Sequence, residues 1–249
     1  KFFQDEGVTL HLNAKIAGVG RSMRGVLMTL EDGTEIAGSH VLFATGRAPN
    51  TDKLNLAAVG LETDSRGYVP TDAKLRTKVP NLWALGDVNR RGAFTHTSYH
   101  DHEIVLADLD KIKDLYQWKD ADQRPTTYAM FTDPPLGRVG LSRTEARKLA
   151  AEGRNILIAD MKMADISRAK EESETTGLIR IIVDGDSEAI LGATVFGIAG
   201  DEIIAIFSNF MATGASYKIM QQALPVHPTV AELIPTILAG LKPLAAANA

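Results

Sequence analysis

Asn81-Leu82-Trp83-Ala84-Leu85-Gly86-Asp87-Val88 is the stretch on which the fold turns. Leu82 to Leu85 form a short apolar run of the kind seen in a fully buried parallel strand. The run stops at Gly86-Asp87. Glycine allows a ligand to approach the backbone closely, and an aspartate at the carboxyl end of a buried strand is placed to accept hydrogen bonds from ligand hydroxyls. A loop containing Arg90-Arg91-Gly92 follows, and then a helix expected from Thr95 to Leu115. Strand, acidic residue and helix N-terminus in that order describe half of a binding site.

Upstream, short strands are expected over Val8–Leu12, over Val26–Leu30 with a hairpin turn at Glu31-Asp32-Gly33, and over Glu35-Ile36. Val41 to Ala44 reads as a second buried strand, ended by Thr45-Gly46-Arg47-Ala48-Pro49-Asn50, because proline and asparagine stop a strand there. Residues 51–80 are rich in turn signals. Downstream, Asp120 to Pro125 is charged and helix-breaking and marks a domain boundary. Beyond it the pattern predicts strands at Thr127–Thr132, Val139–Leu141, Asn155–Ala164, Gly177–Val183 and Ala189–Phe196, the last two joined by the hairpin Asp184-Gly185-Asp186-Ser187. Helices are predicted over Thr144–Glu152, Asp201–Ala212, Tyr217–Ala223 and Val230–Leu241. The expected unit is an antiparallel sheet with helices to one side, an α+β arrangement.

The 249 residues suffice for one or two domains with a sizeable core. A net charge of −4 gives no reason to expect nucleic acid or an anionic membrane as partner, and no apolar run approaches the ~20 residues that span a bilayer. The sequence begins with Lys1 rather than Met, in what reads as the tail of an element, so a fragment of a longer protein is expected. With no cysteine, disulfides, thiolate metal sites and a cysteine nucleophile are excluded within these residues.

The sharpest chemical constellation is Pro225-Val226-His227-Pro228-Thr229-Val230-Ala231-Glu232. A histidine held between prolines, with a glutamate five residues on, has the parts of an acid/base pair: a fixed ring, a carboxylate for one nitrogen, and a second nitrogen for a substrate. Thr229-x-x-Glu232 also fits a capping box, in which Glu232 bonds the Thr229 amide instead, and local sequence leaves both open. His96 and His100 stand four apart, as in some zinc sites, but the spacing forces no third ligand and no metal is expected. The chain has no Gly-x-Ser-x-Gly elbow, no Gly-x-x-x-x-Gly-Lys loop and no Gly-x-Gly-x-x-Gly fingerprint.

Three separated motifs, in order, resemble the class I pyridine nucleotide–disulfide oxidoreductases, the family of glutathione reductase, lipoamide dehydrogenase and mercuric reductase. Ala44 to Asn50 resembles the return from the NAD(P)H domain into the FAD domain. Leu82 to Val88 resembles the second FAD motif. Phe131-Thr132-Asp133-Pro134-Pro135, Val139 to Ser142 and His227-Pro228-Thr229-x-x-Glu232 resemble the dimerisation domain. The resemblance implies remnants of NAD(P)H- and FAD-binding α/β domains, residues 1–46 and 47–122, followed by an antiparallel-sheet dimerisation domain over 123–249. It implies that Asp87 accepts hydrogen bonds from the FAD ribityl chain and that Gly86 lets that chain pass. Phe94 and Thr95 would stand at the helix start aimed at the pyrimidine edge of the flavin, where a positive helix end favours the anionic reduced ring. Arg47 would lie near the FAD and Gly46 on the path of the nicotinamide cofactor. His227, oriented by Glu232, would be the acid/base of thiol–disulfide exchange at the flavin site of a second copy, with His227-Pro228 a cis peptide.

The family's N-terminal half, with its glycine-rich FAD loop and redox cysteine pair, has no counterpart in the 249 residues. The polar His96-Thr97-Ser98-Tyr99-His100-Asp101 resembles the bacterial branch labelled mercuric reductase-like, some of whose members respond to oxidants. Mercuric reductases proper carry tyrosine in place of His227 and a C-terminal cysteine pair, so mercury is not expected as substrate. The resemblance therefore implies the C-terminal part of a cytoplasmic, homodimeric FAD- and NAD(P)H-dependent enzyme acting on a small disulfide or oxidant. The chain alone is expected to be inactive and to hold neither cofactor. The rival readings are a dimerisation module only and a flavoprotein of the NADH oxidase kind.

Overall fold

The structure, a computed structural model, describes residues 2–23, 25–111 and 119–245. They form two compact units, Lys1–Ala48 and Pro49–Ala249.

The first unit holds a short helix α1 (Phe2–Asp5) and a three-stranded antiparallel sheet of β1 (Ile16–Ser22), β2 (Gly25–Leu30) and β3 (Glu35–Gly38). The β2–β3 hairpin follows from its turn chemistry. Asp32 Oδ1 accepts the Thr34 amide at 2.9 Å, and Gly33 takes a φ of +86° that a larger residue resists. Thr29 then pairs with Glu35 and Met28 with Ile36. Two expectations fail here. Val8–Leu12 is not a strand, and Val41–Ala44 is neither a strand nor buried, with Phe43 exposed. An extended segment becomes a strand only when a neighbour takes its backbone hydrogen bonds, and the three-stranded sheet pairs with neither segment.

The second unit opens with turns and two 3-10 segments, Leu56–Val59 and Gly86–Asn89, and then the helix α2 (Thr95–Asp108). The expected end of this helix at Leu115 lies outside the described residues. A six-stranded antiparallel sheet follows, in the order β4-β5-β8-β7-β6-β9. Its strands and helices run β4 (Thr127–Met130), β5 (Leu136–Gly140), α3 (Arg143–Ala151), β6 (Ile156–Lys162), α4 (Ser167–Glu171), β7 (Leu178–Asp184), β8 (Ile190–Phe196), α5 (Gly200–Thr213), α6 (Tyr217–Gln221), α7 (Ile234–Ala239) and β9 (Lys242–Pro243). The β7–β8 turn forms because Asp184 Oδ1 accepts the Asp186 and Ser187 amides, each at 3.0 Å. Ser142 caps α3 in a full capping box, accepting from the Glu145 amide while Glu145 Oε2 accepts from the Ser142 amide. The last expected helix divides into a 3-10 segment, Ala231–Leu233, and α7.

Strands β5, β7 and β8 send Val139, Ile179, Ile181, Val183, Ala193 and Val195 into one core, which α5 covers with Ile203, Ile204 and Phe207. On α5, Ile203 and Phe207 are buried, Phe210 packs against the core, and Ile206 is exposed. Among the described residues no helix is long and apolar enough to cross a membrane.

Candidate functional site

Leu82–Leu85 was expected as a buried parallel strand and is not one: its ladder is a single antiparallel bridge between Trp83 and Arg76. No parallel neighbour lies beside it in the described residues, so its support comes from elsewhere. That support is α2. Its inward residues Thr97, Asp101, Ile104 and Val105 are buried, at the spacing of one helical face. Asp108, two turns beyond Asp101, lies on the same face. Asp108 Oδ2 accepts from Trp83 Nε1 at 2.9 Å and from Arg76 Nε at 2.7 Å. The Arg76 hydrogen bond, with that of Trp83, holds the Asp108 carboxyl below its ordinary range.

Asp101 is completely buried, and both of its oxygens are used. Oδ2 accepts from the Gly86 amide and from Asn89 Nδ2, both at 2.8 Å, and Oδ1 accepts from Arg124 Nη1 at 2.6 Å. Asn89 Nδ2 also reaches Ala84 O at 3.0 Å. Arg124 further donates to Thr97 O at 3.3 Å and Arg91 O at 2.9 Å. Gly86 has φ +73°, and a Cβ there would meet Ser98 Oγ at 2.9 Å. The 3-10 turn it begins places Asp87 half-buried just ahead of α2.

The start of α2 is open. Phe94 stands at the N-cap, and its side chain accepts no hydrogen bond from the helix. The Phe94 ring stacks between His96 (5.2 Å) and Tyr128 (6.1 Å), and Thr95 is exposed. His96 Nε2 donates to Thr127 O at 2.8 Å, tying the first turn of α2 to β4. A cleft of about 410 Å³ opens beside Phe94, His96, Thr97, His100 and Arg124. His100 Nδ1 lies 3.3 Å from Arg124 Nη1. Burial first, and the Arg124 charge second, push the His100 pKa down. His96 and His100 thus serve separate partners.

The second cluster lies on the segment after α6. His227 Nδ1 and Glu232 Oε2 are 2.7 Å apart, and the same oxygen accepts the Thr229 amide at 3.3 Å. Both bonds that the sequence left open are therefore present. A carboxylate only accepts, so Nδ1 carries the proton. Glu232 is mostly covered at 10% side-chain exposure, while the His227 side chain is 76% exposed. The His227-Pro228 peptide is cis, as the resemblance implied. Around it Leu224 (98% exposed), Val226 (74%) and Ile219 lie open to solvent, beside an apolar groove of about 360 Å³ lined by Ile206, Met220, Pro225, Val226 and Ile234.

Of the residues singled out from sequence, Gly86 is bonded to Asp101 of α2 with Asp87 following it, Phe94 and Thr95 form the start of α2, and His227 and Glu232 form a pair. Gly46, at φ +107°, and exposed Arg47 belong to the first unit. The residues that sequence reasoning left without a role, Asn89, Asp101, Asp108 and Arg124, carry the polar framework. Their signal was the seven-residue spacing of two aspartates around Ile104 and Val105.

Comparison with known proteins covers the same two regions. Residues 1–101 match the model "Pyridine nucleotide-disulphide oxidoreductase", and residues 126–237 match that family's dimerisation domain. The chain is 31% identical over 231 residues to the probable pyridine nucleotide-disulfide oxidoreductase RclA of Escherichia coli (strain K12), covering 92% of this chain and 50% of the relative. It is 30% identical to dihydrolipoyl dehydrogenase of Bacillus subtilis (strain 168), covering 91% of this chain and 47% of that protein. The solved structure of the HOCl-induced flavoprotein disulfide reductase RclA from Escherichia coli superposes with a TM-score of 0.83 at 29% identity, over 96% of this chain and 53% of that one. The chain spans about half the length of the curated relatives it matches.

Proposed function

Because the chain belongs to the class I pyridine nucleotide–disulfide oxidoreductase family, we propose that it supplies two parts of such an enzyme: the ribityl-binding turn of an FAD site and a His–Glu acid/base pair. The whole enzyme would oxidise NAD(P)H and reduce a small disulfide or a related oxidant. Two observations support FAD at the turn. Gly86 has a left-handed φ of +73° that a side-chain-bearing residue resists, and a Cβ there would crowd Ser98 Oγ at 2.9 Å, so the turn ahead of Asp87 is built of bare backbone. The leading amides of α2 have no side-chain cap, and such amides suit a group that carries negative charge.

When bound, FAD supplies the relay of electrons between the nicotinamide and the thiol–disulfide couple. Asp87 accepts hydrogen bonds from the ribityl hydroxyls, and Phe94 and Thr95 present the helix start to the flavin edge. Gly46 and Arg47 are assigned to the cofactors on the resemblance alone. The 249 residues contain no cysteine, so the sulfurs served by His227 lie outside them. His227 holds and releases a proton at Nε2. Glu232 fixes the tautomer through Nδ1 and stabilises the imidazolium. The observation that carries this reading is the 2.7 Å His227–Glu232 bond, which joins an exposed ring to a largely buried carboxylate.

The assembly is a homodimer. Leu224, Val226 and Ile219 form an exposed apolar face on the same segment as His227. A second copy covering that face brings His227 to the partner's flavin site. In the FAD-loaded enzyme containing this chain, His227→Gln is expected to lower disulfide turnover ~10²-fold or more, the usual contribution of a general acid/base. Turnover within about threefold of wild type would exclude the assigned role. The 249 residues alone, with no Gly-x-Gly-x-x-Gly loop for the pyrophosphate, are expected to hold FAD too weakly to remain yellow after dialysis.

A further inference from the structure

We propose that Asp101, clamped by Arg124, is the positioning residue of the flavin-binding turn, and that Arg124 ties this turn to the antiparallel-sheet part of the unit. The inference rests on the reading of Asp87 as the ribityl ligand and adds a device that holds Asp87 in place.

One carboxylate oxygen grips both ends of the turn. Gly86 immediately precedes Asp87, and Asp101 Oδ2 accepts the Gly86 N–H at 2.8 Å. The turn closes at Asn89, whose Nδ2 donates to the same oxygen at 2.8 Å. Asp87 sits between these two points on a short 3-10 segment. Outside its own 3-10 bonds the turn is also tied by the Arg90 amide to Asp87 O at 3.2 Å and the Val69 amide to Val88 O at 2.9 Å. Neither of these two reaches the Gly86 N–H, which Asp101 takes. The preceding segment, with one antiparallel bridge, cannot hold the turn as a sheet would.

The carboxylate itself is fixed from the other side. Asp101 is wholly buried, and a buried charge needs a partner and full hydrogen bonding. Arg124 Nη1 provides the charge at 2.6 Å, with its own side chain only 10% exposed. The same guanidinium donates to Arg91 O and Thr97 O, which bracket the loop entering α2. Arg124 lies just ahead of β4, so a single side chain joins the sheet, the helix start and the flavin turn. Lysine keeps the charge but lacks the planar fork needed for several directed bonds.

The test uses the FAD-loaded enzyme containing this chain. FAD dissociation is measured from the fluorescence of released flavin well below the thermal midpoint, with circular dichroism to verify folding. Asp101→Asn is expected to raise the FAD dissociation constant at least tenfold. Arg124→Gln should do the same, and Arg124→Lys should recover most of that loss. A folded Asp101→Asn enzyme that binds FAD within twofold of wild type would overturn the proposal, since an ion pair serving stability alone would lower the melting temperature and leave flavin affinity in place. If Asp101→Asn does not fold, Asn89→Ala removes one of the two grips on the turn and is expected to weaken FAD about threefold, and unchanged affinity would overturn the inference. Asp87→Ala separates the two levels. If it weakens FAD while Asp101→Asn does not, only the positioning role fails. If neither substitution alters FAD binding, the flavin-site reading fails with it.

Discussion

Gly86→Ala tests whether the turn ahead of Asp87 has the conformation and the tight packing described above. Two costs add. The left-handed conformation at φ +73° places Cβ against the following carbonyl, which costs a non-glycine residue about 1–2 kcal/mol. The new Cβ would also lie 2.9 Å from Ser98 Oγ and 3.6 Å from Ser98 Cβ. The second contact is ordinary, and the first is relieved when the hydroxyl moves away, at about 0.5–1.5 kcal/mol if it leaves its preferred rotamer. The sum is about 1.5–3.5 kcal/mol, or roughly 3–14 °C in the melting temperature of a unit this size. Urea and thermal unfolding followed by circular dichroism would measure it. Gly86→Ala/Ser98→Ala should recover the steric part and leave the backbone part. A loss below about 0.5 kcal/mol for Gly86→Ala would refute the reasoning, because the left-handed cost alone exceeds it. A double variant as unstable as the single would remove Ser98 from the account.

Ser142→Ala removes both the acceptor for the Glu145 amide and the return bond's geometry, so α3 should lose about 1 kcal/mol, read from faster amide exchange in its first turn. Exchange rates unchanged there would mean that the box contributes nothing. His100 gives a pH dependence. Its folded pKa lies below the ordinary value of 6.5 because burial and Arg124 disfavour the cation, so below about pH 6.5 the unfolded chain binds more protons. Stability from this group is complete above that pH and falls as pH drops toward the folded pKa. His100→Gln should flatten the urea midpoint between pH 7 and 5.5, and an equally steep variant would rule His100 out as the source. Val226→Asp places a charge on the exposed apolar face beside His227. Light scattering should report monomers at micromolar concentration, and an intact dimer would exclude this face as the interface.

Much of the sheet was legible because its signals are local. The β-branched, apolar runs over β7 and β8 and the aspartate-rich turn between them required nothing distant. The segments over Val8–Leu12, Val41–Ala44 and Leu82–Leu85 misled for the opposite reason. An apolar or alternating run shows that a segment could pair, while its partner is a non-local fact. α4 escaped notice because five residues with one buried alanine carry no period. The face of α2 was hidden by its chemistry. Two of its inward positions are aspartates, so a search for apolar residues at helical spacing saw only a polar helix. At Glu232 the choice between cap and histidine partner was unnecessary, since one oxygen accepts from both Thr229 and His227.

The supports of the stretch from Trp83 to Asp87 set where its sequence constraints fall. In a sheet, backbone groups hold a strand and most side-chain changes leave the ladder intact. Here Trp83 hangs from Asp108 and Gly86 from Asp101, two carboxylates two turns apart on one helix. Neither bond survives replacement of its aspartate by an apolar residue of similar size, and loss of Asp101 would leave the buried Gly86 amide without that partner, which costs about 1–3 kcal/mol. The apolar residues Leu82 and Leu85 make no such directed bond and need only fill space. The positions that control the proposed flavin turn therefore lie on α2 and at Arg124, away from the motif that first identifies it. A change at those positions displaces Asp87 without touching it.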